Sequence, residues 1–323
     1  MLKVGLVGCG FMGSMHANVY ATIDEASLVG VFDSNQERGA AFADKHGIKA
    51  FASFEELLSE VEAVDICLPT YLHKEFTLKA AQAKKHVLCE KPMALTVEDA
   101  EVMKAACEEN DVRLMIAHCI RFWPEYAMLK QIALTGNLGE LLSINMTRYG
   151  EFPHWGSDNW LADESKAGGG ALDMHIHDTD FALYLLGEPK EVFSRGTVDE
   201  KGVSHIFSTF VYDKAVCHLE GGWNMPPQTP FKMAFRAVFE QGAVIMDGGP
   251  MTVYEKGKDP YVPEFPKMAA AGGGNISDMG GYYHEIKHFV DRVTSGKPFD
   301  VTTPETSIAS LRLTLKEIEL SKA

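Results

Sequence analysis

The hexapeptide Gly8-Cys9-Gly10-Phe11-Met12-Gly13 limits what this chain can fold into more than any other feature. It follows an apolar run, Lys3–Val7, and opens a helical pattern, which is the strand–turn–helix context in which G-x-G-x-x-G binds a dinucleotide. Gly8 permits the tight turn, Gly10 lets the backbone approach a pyrophosphate, and Gly13 allows the helix to pack closely on the strand. Phe11 and Met12 complete the turn, and free N–H groups at the helix start face the phosphates.

Twenty residues after Gly13, Asp33 closes a second apolar run, Leu28–Phe32, with Ser34 next to it. A carboxylate there accepts hydrogen bonds from both hydroxyls of the adenosine ribose and repels a 2′-phosphate, which favours NAD over NADP. Arg38, five residues on, either offsets that repulsion or is a solvated helix charge.

The rest of the chain divides into two patterns. Up to about residue 120, apolar runs near 2–7, 27–32, 64–68, 86–89 and 113–117 alternate with helical stretches near 12–22, 36–46, 72–84 and 96–109, the grammar of a doubly wound parallel sheet. Beyond Arg121-Phe122-Trp123-Pro124 come strand-like runs near 139–149, 189–198, 203–212, 215–223, 231–240 and 242–247. Asp213-Lys214 leaves room only for a hairpin, so much of this second sheet is predicted to be antiparallel and open, with helices on one face. Helices are expected near 169–186, 280–295 and 304–321. The Pro/Gly-rich stretch 257–281 reads as a long loop that either covers substrate or is only a connection. Two domains follow, 1–120 for the cofactor and 121–323 for substrate and oligomerisation, in keeping with 323 residues.

Composition narrows the partners. A net charge of −15 opposes binding to nucleic acid or anionic lipid. No run approaches the ~20 apolar residues of a membrane span, and the N-terminus has no secretory pattern, so a cytoplasmic protein is expected. The six cysteines form no C-x-x-C pair and read as reduced core residues.

At the end of the fifth run stands Glu90-Lys91-Pro92, at the carboxyl edge of the sheet where ligands bind in open α/β folds. With it the chain resembles the Gfo/Idh/MocA family of oxidoreductases, which includes glucose–fructose oxidoreductase and inositol 2-dehydrogenase. The resemblance extends to His16 behind the glycine loop, Pro69-Thr70-x-x-His73, Arg121-Phe122-x-Pro124, and the run Gly168-Gly169-Gly170-Ala171-Leu172-Asp173-Met174-His175-Ile176-His177 with its D-x-x-x-H. It implies hydride transfer between NAD and a secondary alcohol or ketone of a sugar, inositol or related polyol, without a metal. It also implies a homodimer or homotetramer built through the C-terminal sheet.

By residue, the resemblance implies that Lys91 donates to the reacting oxygen, that His177 is the base, and that Asp173 binds a neighbouring hydroxyl or orients the base. Lys91 itself remains an alternative as the proton carrier. Asp173 and His177 are four residues apart and so share a helical face. Pro69, Thr70 and His73 would line the nicotinamide side, or merely cap and pack the loop. Glu90 would hold a ribose or pair with Lys91. Arg121 would meet substrate or seal a domain joint. Tyr149, His154, Trp155 and Trp160 are aromatic groups that suit a sugar face but also suit a core. His175 with His177, Asp173 and Asp180 could be read as metal ligands, but His175 and His177 point to different sides of a helix. The remaining alternatives are an NADP-linked reductase of a sugar or trans-dihydrodiol, and a nonenzymatic dinucleotide sensor.

Overall fold

The computed structural model describes residues 1–266 and 280–322. Most of the loop expected at 257–281, including Gly272–Gly274, lies outside the described residues.

The first unit is built on a six-stranded parallel sheet of order β3-β2-β1-β4-β5-β6. Its strands are β1 (Leu2–Val7), β2 (Ala26–Phe32), β3 (Lys49–Ala50), β4 (Ala63–Ile66), β5 (His86–Glu90) and β6 (Leu114–Ala117). β4 and β6 are buried at every position, as expected of strands covered on both faces. Helices α1 (Phe11–Tyr20), α2 (Gln36–His46), α3 (Phe54–Glu60), α4 (His73–Gln82) and α5 (Val97–Glu109) make the crossovers. Side-chain caps fix several of their starts: Asn35 accepts from the Arg38 amide, Ser53 from that of Glu56 and Thr96 from that of Asp99. β3 and α3, too short to give a clear period, are additions to the expected elements.

The second unit carries a seven-stranded sheet of order β13-β12-β11-β7-β10-β9-β8. Its strands are β7 (Leu141–Glu151), β8 (Glu191–Asp199), β9 (Gly202–Val211), β10 (Val216–Met225), β11 (Lys232–Phe239), β12 (Gly242–Met246) and β13 (Thr252–Glu255). Every pairing is antiparallel except that of β7 with β10. Around Asp213-Lys214 the hairpin closes as the spacing predicts, with Tyr212 N–H donating to Ala215 O at 2.9 Å. The stretch after Trp123 departs from the expectation of strands: it is first a helix, α6 (Pro124–Thr135), opened by Pro124 at its first position and stopped by left-handed Gly136. A short α7 (Glu164–Ala167) follows β7, and the helix expected at 169–186 is a π-helical segment, Ala171–His175, running into α8 (Ile176–Leu186).

The compact units are not a single cut of the chain. Residues 1–122 are joined by 155–160 and by 280–308, and the remainder forms the second unit. Helix α9 (Gly280–Ser295) thus belongs with the parallel sheet, where Ile286, Phe289 and Val290 share a core with Met15, Val19 and Tyr20 of α1. Helix α10 (Pro304–Ser321) passes from the first unit to the second after Ile308. No described helix is long and apolar enough to cross a membrane.

Candidate active site

The glycine loop has the geometry its sequence requires. Gly8 sits at φ +100°, where a Cβ would lie 2.6 Å from the Cys67 carbonyl oxygen, and a Cβ on Gly13 would lie 2.1 Å from that of Gly8. Neither position admits a side chain. Gly10 differs: a Cβ there would meet nothing within 4 Å, and as the N-cap of α1 it supplies no side chain to the helix amides. The first turn of α1 is thereby left open as an anion cradle, which fits the pyrophosphate of a dinucleotide. Phe11 is half-buried, and the Trp155 ring packs on it at 5.1 Å, so this candidate sugar-stacking residue lies at the glycine loop.

Asp33 is buried at the end of β2 and saturated with donors. Oδ2 accepts from the Cys9 amide at 2.9 Å and from Arg38 Nε at 3.0 Å; Oδ1 accepts from the Asn35 amide at 2.8 Å and from Arg38 Nη2 at 2.7 Å. Burial alone would raise its pKa, but the Arg38 guanidinium and the two amides outweigh that and hold it below the ordinary carboxylate range. Arg38 is therefore not the free surface charge that was one of its two readings. Ser34 is exposed beside the pair.

The loops after β4 and β5 are tied together by His73. The imidazole is fully buried, with Nδ1 2.9 Å from the Pro92 carbonyl and Nε2 2.8 Å from that of Leu68. Burial pushes its pKa below the ordinary value against the pull of those carbonyls. Both ring nitrogens lie against backbone carbonyls, and the neutral ring donates to one of them, a geometry that fits the packing reading of this residue. Thr70 is buried and Pro69 half-buried. Lys91 is half-buried, the Lys91–Pro92 peptide is cis, and the Lys91 amide donates to Glu90 Oε2 at 3.0 Å. Arg121 is buried and donates to Val301 O at 2.7 Å and Thr306 Oγ1 at 3.1 Å, which anchors the segment after α9.

In the second unit, Asp173 lies in the π-helical segment and His177 in the first turn of α8. Asp173 is 9% exposed and His177 half-buried, whereas His175 and Ile176 between them are fully buried. A π-helical turn at such a position is a frequent mark of functional sites. His175 points elsewhere: Nε2 meets Glu317 Oε1 of α10 at 2.8 Å, and Thr179 donates to the other oxygen at 2.7 Å. Arg148 of β7 grips Asp178 at 2.9 and 3.0 Å, and Ser310 donates to Asp180 at 2.7 Å. These anchors on the helix that carries D-x-x-x-H were not expected from the sequence. Tyr149 is half-buried on β7 near His205, and Trp160 is half-buried.

A second group missed at the sequence level lies beneath the Glu90–Lys91 loop. His16 of α1, fully buried, places Nδ1 2.8 Å from Asp65 Oδ2 and Nε2 3.1 Å from Glu90 Oε1. The signal was present in the sequence, since Asp65 interrupts the otherwise apolar run Ala63-Val64-Asp65-Ile66. An acidic residue at a buried strand position implies a partner.

Two family models match the chain: residues 2–118 match "Oxidoreductase family, NAD-binding Rossmann fold" and residues 126–245 match "GFO/IDH/MocA C-terminal domain". Among curated proteins, glucose-6-phosphate 3-dehydrogenase of Bacillus subtilis is 35% identical over 192 residues, covering 57% of this chain and 54% of the relative. The 2,7-anhydro-N-acetylneuraminate hydratase of Escherichia coli is 35% identical over 193 residues, covering 59% and 51%. The matched region thus spans about half the length of these relatives. Among solved structures, UDP-N-acetylglucosamine 3-dehydrogenase of Acidithiobacillus ferrooxidans superposes with a TM-score of 0.82 at 25% identity, over 99% of this chain and 97% of that one. Each domain carries its own family signature on the expected architecture, and the chain belongs to the Gfo/Idh/MocA family of oxidoreductases.

Proposed function

We infer that the protein is an NAD-dependent dehydrogenase that moves a hydride between the nicotinamide and a secondary alcohol or ketone of a sugar, inositol or related polyol. The observation that carries this reading is the open amide cradle at Gly10 together with the buried Asp33 carboxylate, a pair suited to the pyrophosphate and the adenosine ribose. Relatives named for sugar dehydrogenation support the substrate class.

NAD, when bound, supplies the hydride acceptor; the chain supplies the rest. Oxidation of an alcohol releases a hydroxyl proton, and an imidazole is matched to taking it near neutral pH, the role assigned to His177. The Lys91 ammonium donates to the same oxygen and stabilises the alkoxide charge that grows on it. Asp173 accepts from a neighbouring hydroxyl and thereby selects polyols. Asp33 favours NAD because its carboxylate repels a 2′-phosphate. The Asp33–Arg38 pair gives a specific reason to test NADP too, since a guanidinium at that place can turn to a phosphate.

The test is a panel of inositols, aldoses, sugar phosphates, sugar acids and anhydro-sugars with NAD and NADP in parallel, read as NADH or NADPH formation. Substrate loss is followed as well, because a relative named as a hydratase points to a net reaction that leaves no reduced cofactor to detect. Lys91→Ala and His177→Ala are each expected to lower turnover about 10²-fold or more, with NAD affinity kept. Near-normal turnover in both would remove the catalytic assignment, and NAD binding with no turnover of any substrate would favour a dinucleotide sensor.

A further inference from the structure

The buried group under the Glu90–Lys91 loop has a specific geometry. His16 stands between two carboxylates, Asp65 on β4 and Glu90 at the end of β5, at 2.8 and 3.1 Å. The contact to Asp65 is a hydrogen bond, while that to Glu90 is an ion-pair approach off the hydrogen-bond line. The carboxylate of Glu90 is held on both sides: Oε1 faces His16, and Oε2 accepts the backbone N–H of Lys91 at 3.0 Å. A chain of polar contacts therefore runs from a strand in the middle of the sheet to the peptide that carries the Lys91 side chain.

We propose that Asp65, His16 and Glu90 form a charged positioning unit, in which an imidazolium clamped between two carboxylates fixes Glu90 and, through the Lys91 amide, the direction in which Lys91 leaves the sheet edge. This rests on the reading of Lys91 as a group that acts on substrate. His16 and Asp65 are fully buried and Glu90 nearly so, and in this unit they act through Lys91, as positioning residues.

The charge state follows from the surroundings. Burial by itself would drive the imidazole neutral, but the adjacent Asp65 carboxylate reverses this and holds it well above its ordinary value. Glu90, in spite of burial, is held below the usual carboxylate range by His16. The other titratable groups near the unit are Cys67 after β4, Cys89 and Lys91 at the end of β5, His73 at the start of α4, Tyr20 on α1, and Tyr282 and Glu285 on α9. Burial pushes both thiols and both phenols up and the His73 imidazole down, so these stay neutral and leave the carboxylates and the Lys91 ammonium to set the field.

The ligand atoms of His16, Asp65 and Cys67 also lie within 4.8 Å of one another, the spacing of a metal pocket. The 2.8 Å between His16 Nδ1 and Asp65 Oδ2 argues for a shared proton instead. A tetrahedral ion about 2 Å from each ligand would hold them about 3.3 Å apart.

The experiment uses the full-length protein with His16→Gln and Asp65→Asn, and its first readouts need no turnover. In protein carrying 15N-labelled histidine, one imidazole is expected to keep the doubly protonated signal above pH 8, to vanish in His16→Gln and to become neutral in Asp65→Asn. The Lys91 amide is expected to exchange with solvent about tenfold faster in both variants. With a substrate from the panel, kcat is expected to fall about tenfold or more while the KM for NAD holds. A neutral His16 at pH 8, or unchanged Lys91 amide exchange in both folded variants, would overturn the positioning unit. If His16→Gln does not fold, Asp65→Asn, which preserves shape, decides alone. Unchanged turnover in Lys91→Ala would instead overturn the catalytic reading and leave the imidazole and amide signals intact, so the two failures are distinct.

Discussion

Asp33 accepts four hydrogen bonds, two of them from Arg38. The pair, and not the acid alone, is therefore the place to test cofactor choice. Asp33→Ala is expected to weaken NAD and to raise the relative use of NADP, because Arg38 is then free for a 2′-phosphate; an unchanged NAD/NADP ratio of kcat/KM would take Asp33 out of the ribose site. The same variant carries a stability consequence. Asp33 titrates lower folded than unfolded, so its contribution is complete above the unfolded value, about 4, and is lost as pH falls through the folded one. Unfolding of Asp33→Ala should accordingly depend less on pH on the acid side of 4.

At the scale of the element, the helix bearing Asp173 and His177 is held by its opposite face. His175 and Thr179 share the carboxylate of Glu317, Asp178 pairs with Arg148, and Asp180 accepts from Ser310. Buried charges of this kind contribute little net stability but fix one register, since a rotated helix would leave them unpartnered. Glu317→Leu removes an acceptor from two buried groups, at about 1–3 kcal/mol each. Urea unfolding should show a loss of that order, together with reduced turnover, and a variant as stable as the parent would show that the helix is held without this anchor.

Across the whole molecule, one face of the second sheet is exposed among the described residues. Phe193, Phe207, Val216, Val238 and Tyr254 are exposed at 58%, 44%, 45%, 43% and 41%, while the alternate positions Ile206, Phe210, Leu219 and Phe235 are buried. Apolar groups this dense on an exposed sheet face suit an interface. We expect a homodimer or homotetramer formed through this face, visible by light scattering, and Phe207→Glu with Val238→Glu should shift it to monomer. A parent protein that is monomeric at micromolar concentration would refute the assembly.

What depends on near neighbours can be read from the residues in order: the glycine loop, the strand and helix periods of the first unit, the hairpin at Asp213-Lys214 and the chemical types at Glu90-Lys91 and Asp173-x-x-x-His177. These signals are local because turn sterics and burial periods act over a few residues. Helix α6 was legible in principle, from Pro124 and Gly136, but its mixed composition hid it among strand-like runs. Which partner each buried polar group meets depends instead on how distant elements pack. His16 finds Asp65 49 positions away and His175 finds Glu317 142 positions away, pairings fixed by the packing of whole elements and not written in any one segment. The placement of α9 on the parallel sheet was decided in the same way, because an amphipathic stripe specifies that it must be buried but not against what.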